Sequence, residues 1–206
     1  MAQILAASKN KHKIVEFQEM LRINGLDITI LSPATIPGFP ELIENGTTFE
    51  ANSAMKAEQA SHFADTTAFA DDSGLAVDAL DGAPGIYSAR YAGEKATDQD
   101  RINKLLKEMN GKQDRSAKFV CVISIAHKGR LIASFRGEVK GTITHASAGE
   151  NGFGYDPVFV PDGYDKTFAE LGAEIKDRIS HRANAFLQAV EFLKKNTSAN
   201  GVFAWE

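Results

Sequence analysis

An α/β fold, a central mixed and twisted sheet flanked by helices, is what this sequence predicts. Short apolar runs and helical stripes alternate over the first half of the chain, each change punctuated by Gly, Pro or Asn. Two long β-rich runs, 118–126 and 131–144, are then separated only by His127-Lys128-Gly129-Arg130, a hairpin pattern that makes part of the sheet antiparallel. With 206 residues and 43% hydrophobic content, the chain can bury one ordinary core, or two lobes sharing one.

Ile4 to Ala7 reads as a short buried strand. Ile14, Phe17, Met20 and Leu21 follow at helical spacing, with Asn24-Gly25 as the stop. Asp27 to Leu31 is a second strand, and Pro33, Pro37, Gly38 and Pro40 make the next stretch an irregular connection. A helix starting at Thr47 or Thr48 carries Phe49, Ala54, Ala57, Ala60 and Phe63, mostly small side chains suited to close packing on a sheet. Thr67 to Ala70 and Leu75 to Leu80 are strand candidates on either side of Asp71-Asp72-Ser73-Gly74, which reads as a turn, and the loop Asp81 to Gly85 follows. Thr97 with Asp100 forms a variant capping box ahead of the stripe Ile102, Leu105, Leu106 and Met109, ended by Gly111. After the hairpin, a glycine-rich loop over 149–157 leads to the apolar run Val158-Phe159-Val160. The last helix presents Ala183, Phe186, Leu187, Val190 and Leu193 on one face. Residues 1–196 form one domain in this reading, and the polar tail 197–206 is expected to fray.

The formal charge of -4 and a pI near 5.8 exclude a protein that coats nucleic acid polymers non-specifically, so basic groups that meet phosphate must be local. The single cysteine, Cys121, lies in an apolar run, which excludes a disulfide framework or thiolate zinc cluster and suits a reduced, cytoplasmic compartment. The apolar start, Met1 to Ala7, lacks the basic leader of a signal peptide, and no run approaches the ~20 apolar residues of a membrane span; no membrane association is expected.

Asp71 and Asp72 stand where the apolar run Thr67-Ala68-Phe69 ends, at the kind of sheet rim where open α/β proteins place ligands. Paired carboxylate oxygens are what Mg²⁺ favours, although a solvated turn uses the same residues. Ser8-Lys9-Asn10-Lys11-His12-Lys13 joins the first strand to the first helix, where backbone N–H groups and the helix dipole make an anion site. Asn10 is the N-cap there, Ser8 offers a hydroxyl, and Lys13 reaches back as a mobile charge. Solvated lysines around a helix start would give the same pattern, and without Walker glycines the segment is not a P-loop. Glu44 alone is a loop acid and Lys56 alone a surface lysine; with the aspartates they would make a site for a metal-bound polyphosphate. In the loop Gly152-Phe153-Gly154-Tyr155-Asp156, glycines permit close ligand approach and an aromatic can stack on a planar base, or the aromatics tuck into the core. Arg182 is poorly placed for the dipole of the helix it begins, so it answers a negative charge elsewhere, while His181 caps that helix or meets a ligand.

Taken together, Ser8-x-Asn10-x-x-Lys13, Ala70-Asp71-Asp72-Ser73-Gly74-Leu75, Gly82-Ala83-Pro84-Gly85-Ile86-Tyr87-Ser88-Ala89-Arg90-Tyr91, Phe153-Gly154-Tyr155-Asp156-Pro157 and Ser180-His181-Arg182 closely resemble the inosine/xanthosine triphosphate pyrophosphatase family. The resemblance spans nearly the whole chain. It implies a two-lobed α/β fold with a nucleotide-binding cleft between the lobes, a homodimer, and Mg²⁺-dependent hydrolysis of ITP, dITP and XTP to the monophosphate and pyrophosphate, cleansing the nucleotide pool. Carried over position by position, it implies substrate-phosphate contacts from Ser8, Lys9, Asn10, Lys11, His12 and Lys13. The metal ligands fall on Glu44 and Asp72, and Asp72 is also the proton acceptor. The remaining nucleotide contacts fall on Ser73, Phe153, Gly154, Tyr155, Asp156, Lys176, His181 and Arg182. Lys56 and Asp71 align with basic and acidic supporting positions. The chain departs from the pattern at Ala51, where many members have Glu before the Asn, and this leaves any second metal position there without its acid.

Two other readings compete. Pyrophosphatases acting on dTTP and UTP carry an amino-terminal Ser-x-Ser-x-x-Arg pattern, which is absent here. A sensor that binds the nucleotide without cleaving it has no need of a water-activating carboxylate, whereas Glu44, Asp71, Asp72 and Lys13 are all in place.

Overall fold

β1 (Ala2–Ala6) and β2 (Ile28–Leu31) run parallel, joined by α1 (Lys11–Ile23). The computed structural model describes residues 2–8, 10–198 and 200–205, all with side chains except Lys11 and His12. Lys9 and the side chains of Lys11 and His12 therefore lie outside the described residues. α2 (Phe49–Phe63) precedes β3 (Thr67–Val77), and β1 pairs parallel with β3 through Leu5 opposite Ala68 and Ala6 opposite Phe69. α3 (Asp98–Glu108), β4 (Ser116–His127), β5 (Arg130–Ile143), β6 (Phe159–Pro161), α4 (Phe168–Ile179) and α5 (His181–Asn196) complete the chain. The six strands form one sheet in the order β2-β1-β3-β4-β5-β6, so the predicted mixed α/β class is observed. Lys128 (φ 49°) and Gly129 (φ 84°) make the two-residue hairpin turn between β4 and β5, and β5 pairs antiparallel with β6.

The described chain divides into two compact units, residues 1–72, 122–136 and 185–206 in the first and 73–121 and 137–184 in the second. In the first, Phe17 of α1 is fully buried, stacked on Phe186 at 4.5 Å and edge-on to Phe69 at 4.4 Å. Ala57 and Ala60 of α2 cluster with Ala68 and Ala70 of β3, as the small-residue pattern of α2 predicts, and Thr48 caps that helix by accepting the Ala51 N–H. The second unit packs the α3 stripe, Ile102, Leu105 and Met109, with Leu75, Phe119, Phe159 and Phe168, and the Thr97–Asp100 capping box is present. No helix among the described residues is long and apolar enough to cross a membrane.

Five expectations are corrected. Asp71-Asp72-Ser73-Gly74 is not a turn but the middle of one continuous strand, Thr67–Val77. Gly74 serves close approach rather than turning, because a Cβ there would lie 2.3 Å from the Gly85 carbonyl and 2.4 Å from Ser88 Oγ. The strand candidate to Leu80 ends at Val77, where residues 78–80 wind into a 3-10 turn. α4, preceded by its own capping box between Thr167 and Glu170, was not among the predicted elements, and Leu187 faces outward at 45% exposure rather than joining the apolar face of α5. Instead of fraying, the tail turns back: Thr197 bridges to Phe203, and Trp205 stacks on Phe192 and Phe203 while its indole N–H donates to Thr67 Oγ1 at 3.2 Å. The apolar bulk of Phe203 and Trp205 outweighs the polar composition of the residues before them.

Candidate active site

Successive side chains of a strand point to opposite faces, so the adjacent aspartates of β3 serve different helices. Asp71 shares a face with Phe69, which packs on α1; Asp72 shares the other with Ala68 and Ala70, which pack on α2. Each helix supplies a cation accordingly. Lys13 Nζ of α1 lies 2.6 Å from Asp71 Oδ2, and Lys56 Nζ of α2 lies 3.5 Å from Asp72 Oδ1 and 3.1 Å from Glu44 Oε1. The mid-strand position, corrected above, is what sends the two carboxylates to separate partners.

Asn52, one turn before Lys56 on α2, donates its amide to Asp72 Oδ2 at 3.2 Å and accepts the Gly46 N–H at 2.8 Å. Burial pushes the Asp72 carboxyl above the usual carboxylate range; Lys56 and the Asn52 amide pull it down, and Glu44 and Asp71 add to the rise. For Lys56, burial works against the charged ammonium, but Asp72, Asp71 and Glu44 together outweigh it and hold its titration above that of an ordinary lysine. At the start of α1, Asn10 Oδ1 accepts the Lys13 N–H at 3.4 Å and Ser8 Oγ accepts the Asn10 N–H at 3.2 Å, the predicted N-cap. Ser8, Lys13, Glu44, Lys56 and Asp71 line a cavity of about 300 Å³ with an apolar wall that includes Phe39 and Leu42.

This donor set suits a hard cation. Glu44 and Asp72 both converge on the single Lys56 ammonium, and carboxylate oxygens with room for water and phosphate are what Mg²⁺ takes. Among the described residues no group of three Asp, Glu, His or Cys side chains is placed to hold a metal alone, so a cation here would complete its shell from outside the protein.

The second unit carries the other predicted residues. In the loop 152–156, Asp156 is buried and accepts the Phe153 N–H at 2.9 Å and the Lys176 ammonium at 2.5 Å. Only glycine fits at 152, since a Cβ would sit 2.3 Å from Asp156 Oδ2 and φ is +81°. Tyr155 is buried and donates its hydroxyl to the Ser88 carbonyl, and Gly154 N–H donates to Asp98 Oδ2 at 2.7 Å. Phe153 is 57% exposed, with Lys176 Nζ 3.9 Å from its ring centroid and Arg182 Cζ at 5.7 Å. Tyr155 is thus part of the core, while Phe153 keeps an exposed ring beside two cations. His181 and Arg182 are buried, and His181 stacks on Phe119 at 4.9 Å. Ser73, half-buried, follows Asp72 along β3.

Ser8, Asn10, Lys13, Glu44, Lys56, Asp71 and Asp72 thus gather in the first unit, and Ser73, Phe153 to Asp156, Lys176, His181 and Arg182 belong to the second. Sequence reasoning passed over Asn52 and Asp98. Asn52 stands four residues before Lys56, on the same helix face, and that spacing was its available signal.

A model of the Ham1 family matches residues 4–192. A dITP/XTP pyrophosphatase of Oceanobacillus iheyensis is 48% identical over 196 residues, covering 94% of this chain and 98% of the relative. Among solved structures, a HAM1 protein from Coxiella burnetii superposes with a TM-score of 0.90 at 39% identity, covering 95% of this chain and 100% of that one. The Ham1 protein of Staphylococcus aureus gives 0.87 at 43% identity, with 94% and 98% covered.

Proposed function

Since the chain belongs to the Ham1 family, we propose that it is a nucleoside-triphosphate pyrophosphatase that hydrolyses the deaminated purine nucleotides dITP, ITP and XTP to the monophosphate and pyrophosphate. One observation carries the chemistry: two carboxylates from different segments, Glu44 and Asp72, meet one ammonium at 3.1 and 3.5 Å, with Lys13 paired to the neighbouring Asp71. Such alternation of acids and lysines suits a ligand that brings both a cation and several phosphate charges. dITP and XTP are the substrates named for the relatives, ITP is the ribose counterpart of dITP, and pool cleansing is the role such a reaction serves.

In this reading Glu44 and Asp72 hold Mg²⁺, which when bound neutralises phosphate charge and polarises the attacked phosphorus. Asp72 orients a water toward the α-phosphorus and accepts its proton, a task that needs the ionised carboxylate. As the bond to the bridging oxygen breaks, electrons move onto the leaving pyrophosphate, and Lys13 and Lys56 offset that charge. Ser8, Asn10 and the N-terminus of α1 donate hydrogen bonds to phosphate oxygens. Phe153 stacks on the base, while Arg182, His181 and loop backbone groups read the 6-oxo and N1–H edge that adenine inverts. A polar site of that kind rejects the inverted edge by ~10⁴-fold, since mismatched donors and acceptors stay unpaired. Asp156, satisfied by the loop and by Lys176, holds the reader rather than reading. The homodimer implied by the sequence resemblance and the cytoplasmic setting that the single cysteine suits belong to the same proposal.

The test is a product assay with purified protein, Mg²⁺ and a panel of dITP, ITP, XTP, GTP, ATP, dTTP and UTP. Pyrophosphate is expected as the primary product, released fastest from dITP, ITP and XTP. Orthophosphate as the primary product would place attack at the γ-phosphorus, and a preference for dTTP or UTP would favour the pyrimidine-directed relatives instead.

A further inference from the structure

The loop that carries Glu44 has no regular secondary structure, and the Glu44 side chain is 36% exposed. A ligand pair made from such a loop and a strand needs something to fix its spacing. Two amide side chains of α2 hold the loop on either side of Glu44. Gln59 exchanges two hydrogen bonds with the backbone of Ile43, both at 3.0 Å, and Asn52 accepts the Gly46 N–H at 2.8 Å. Asn52 differs from Gln59 in one respect: its other end donates to Asp72 Oδ2 at 3.2 Å, and the residue is 1% exposed. One rigid amide therefore ties the segment of the first carboxylate to the second carboxylate itself. The fit at the loop end is close, because a Cβ on Gly46 would lie 2.8 Å from both Ala51 Cβ and Asn52 Oδ1.

We propose that Asn52 is a positioning residue whose amide, held between Gly46 and Asp72, sets the spacing of Glu44 and Asp72 for a shared divalent cation. The inference rests on the assignment of those two acids as the cation's ligands. An amide is the side chain this task requires, since one end must accept from a backbone N–H while the other donates to a carboxylate. Partners behind metal ligands are typically worth 10- to 100-fold in metal affinity or activity.

Electron paramagnetic resonance titration of the full chain with Mn²⁺, without nucleotide, tests it, with thermal melts confirming that each variant is folded. Glu44→Gln and Asp72→Asn are the controls for the site. Asn52→Leu, close in shape but without hydrogen bonds, is expected to weaken Mn²⁺ binding by about 10- to 100-fold. Gly46→Ala breaks the same link from its other end, and the double variant should lose little beyond either single one, because both cut one connection. Unchanged Mn²⁺ affinity in folded Asn52→Leu and Gly46→Ala, with both controls weakened, overturns the positioning role. Fully additive losses do the same. Controls that bind Mn²⁺ like the wild type would overturn the ligand assignment, and the inference with it.

Discussion

Asp72→Asn is expected to lose at least about a hundredfold in turnover, the least that general-base help supplies, while the protein stays folded. The substitution keeps the shape of the side chain and its ability to accept from Asn52, and removes the ionised oxygen needed to hold a cation and take a proton. Stability should respond in the opposite sense. Burial raises the Asp72 pKa above its unfolded value, so the protonated form is favoured in the native state. The stability this group contributes is present below the unfolded pKa and lost as pH rises through the folded one. At neutral pH the buried carboxylate is thus a cost that the neutral amide removes. The metal-free variant should melt no lower than the wild type at pH 7, and the difference should close as pH falls into the range where Asp72 is protonated. Steady-state rates and melting curves across pH 4 to 8 check both halves. A variant that keeps more than a hundredth of the rate contradicts the assigned role.

Lys56→Met is expected to give the largest loss of stability. Its ammonium pairs with both Glu44 and Asp72, and the side chain is 9% exposed. Removing one partner of a buried pair costs about 3 to 5 kcal/mol, because the remaining charge is left uncompensated. Glu44 reaches solvent, which points to the lower end, and about 3 kcal/mol in a chain of this size lowers Tm by roughly 6 to 12 °C. The raised Lys56 pKa fixes the pH window. Its contribution is fully present below the unfolded lysine value and is lost only as pH rises through the higher folded value, so the deficit should hold from pH 6 to 9. Millimolar Mg²⁺ should restore part of the deficit by binding the orphaned carboxylates of the native state. A shift of less than 2 °C in metal-free buffer would show that the acids do not depend on this lysine.

The fold was legible where local rules and packing agree. The α3 stripe with its capping box, the small-residue helix α2 and the His127 to Arg130 hairpin each combine a periodic apolar pattern with specific end residues, and each appears in the predicted place. Gly74 misled because glycine marks both turns and close contacts, and only the approach of Gly85 and Ser88 distinguishes the two. α4 was hidden by Gly172, whose φ of 78° interrupts the helical pattern behind the capping box at Thr167. The fraying tail was misjudged because composition cannot reveal that Trp205 finds Phe192 and Thr67, partners distant in sequence.

For the site, the motifs named the chain's family, and the family model agrees over residues 4–192. Residue chemistry alone identified acids and lysines but not their pairing. That pairing follows from strand alternation, which sends Asp71 to Lys13 and Asp72 to Lys56 and Asn52. Asp156, which the sequence resemblance places among the nucleotide contacts, is buried and accepts the Phe153 N–H and the Lys176 ammonium, and the second of these partners is too distant in sequence for spacing to reveal.

Glu44 and Asp72 act as proposed only if a divalent cation binds between them and the substrate's phosphates. Anomalous diffraction from a crystal soaked with Mn²⁺ and the α,β-imido analogue of dITP locates that cation. The predicted result is a manganese peak coordinated by one oxygen each of Glu44 and Asp72 and by phosphate oxygens of the analogue. A peak bound elsewhere, with neither carboxylate in its coordination shell, would contradict the assignment of these acids and the reaction built on them.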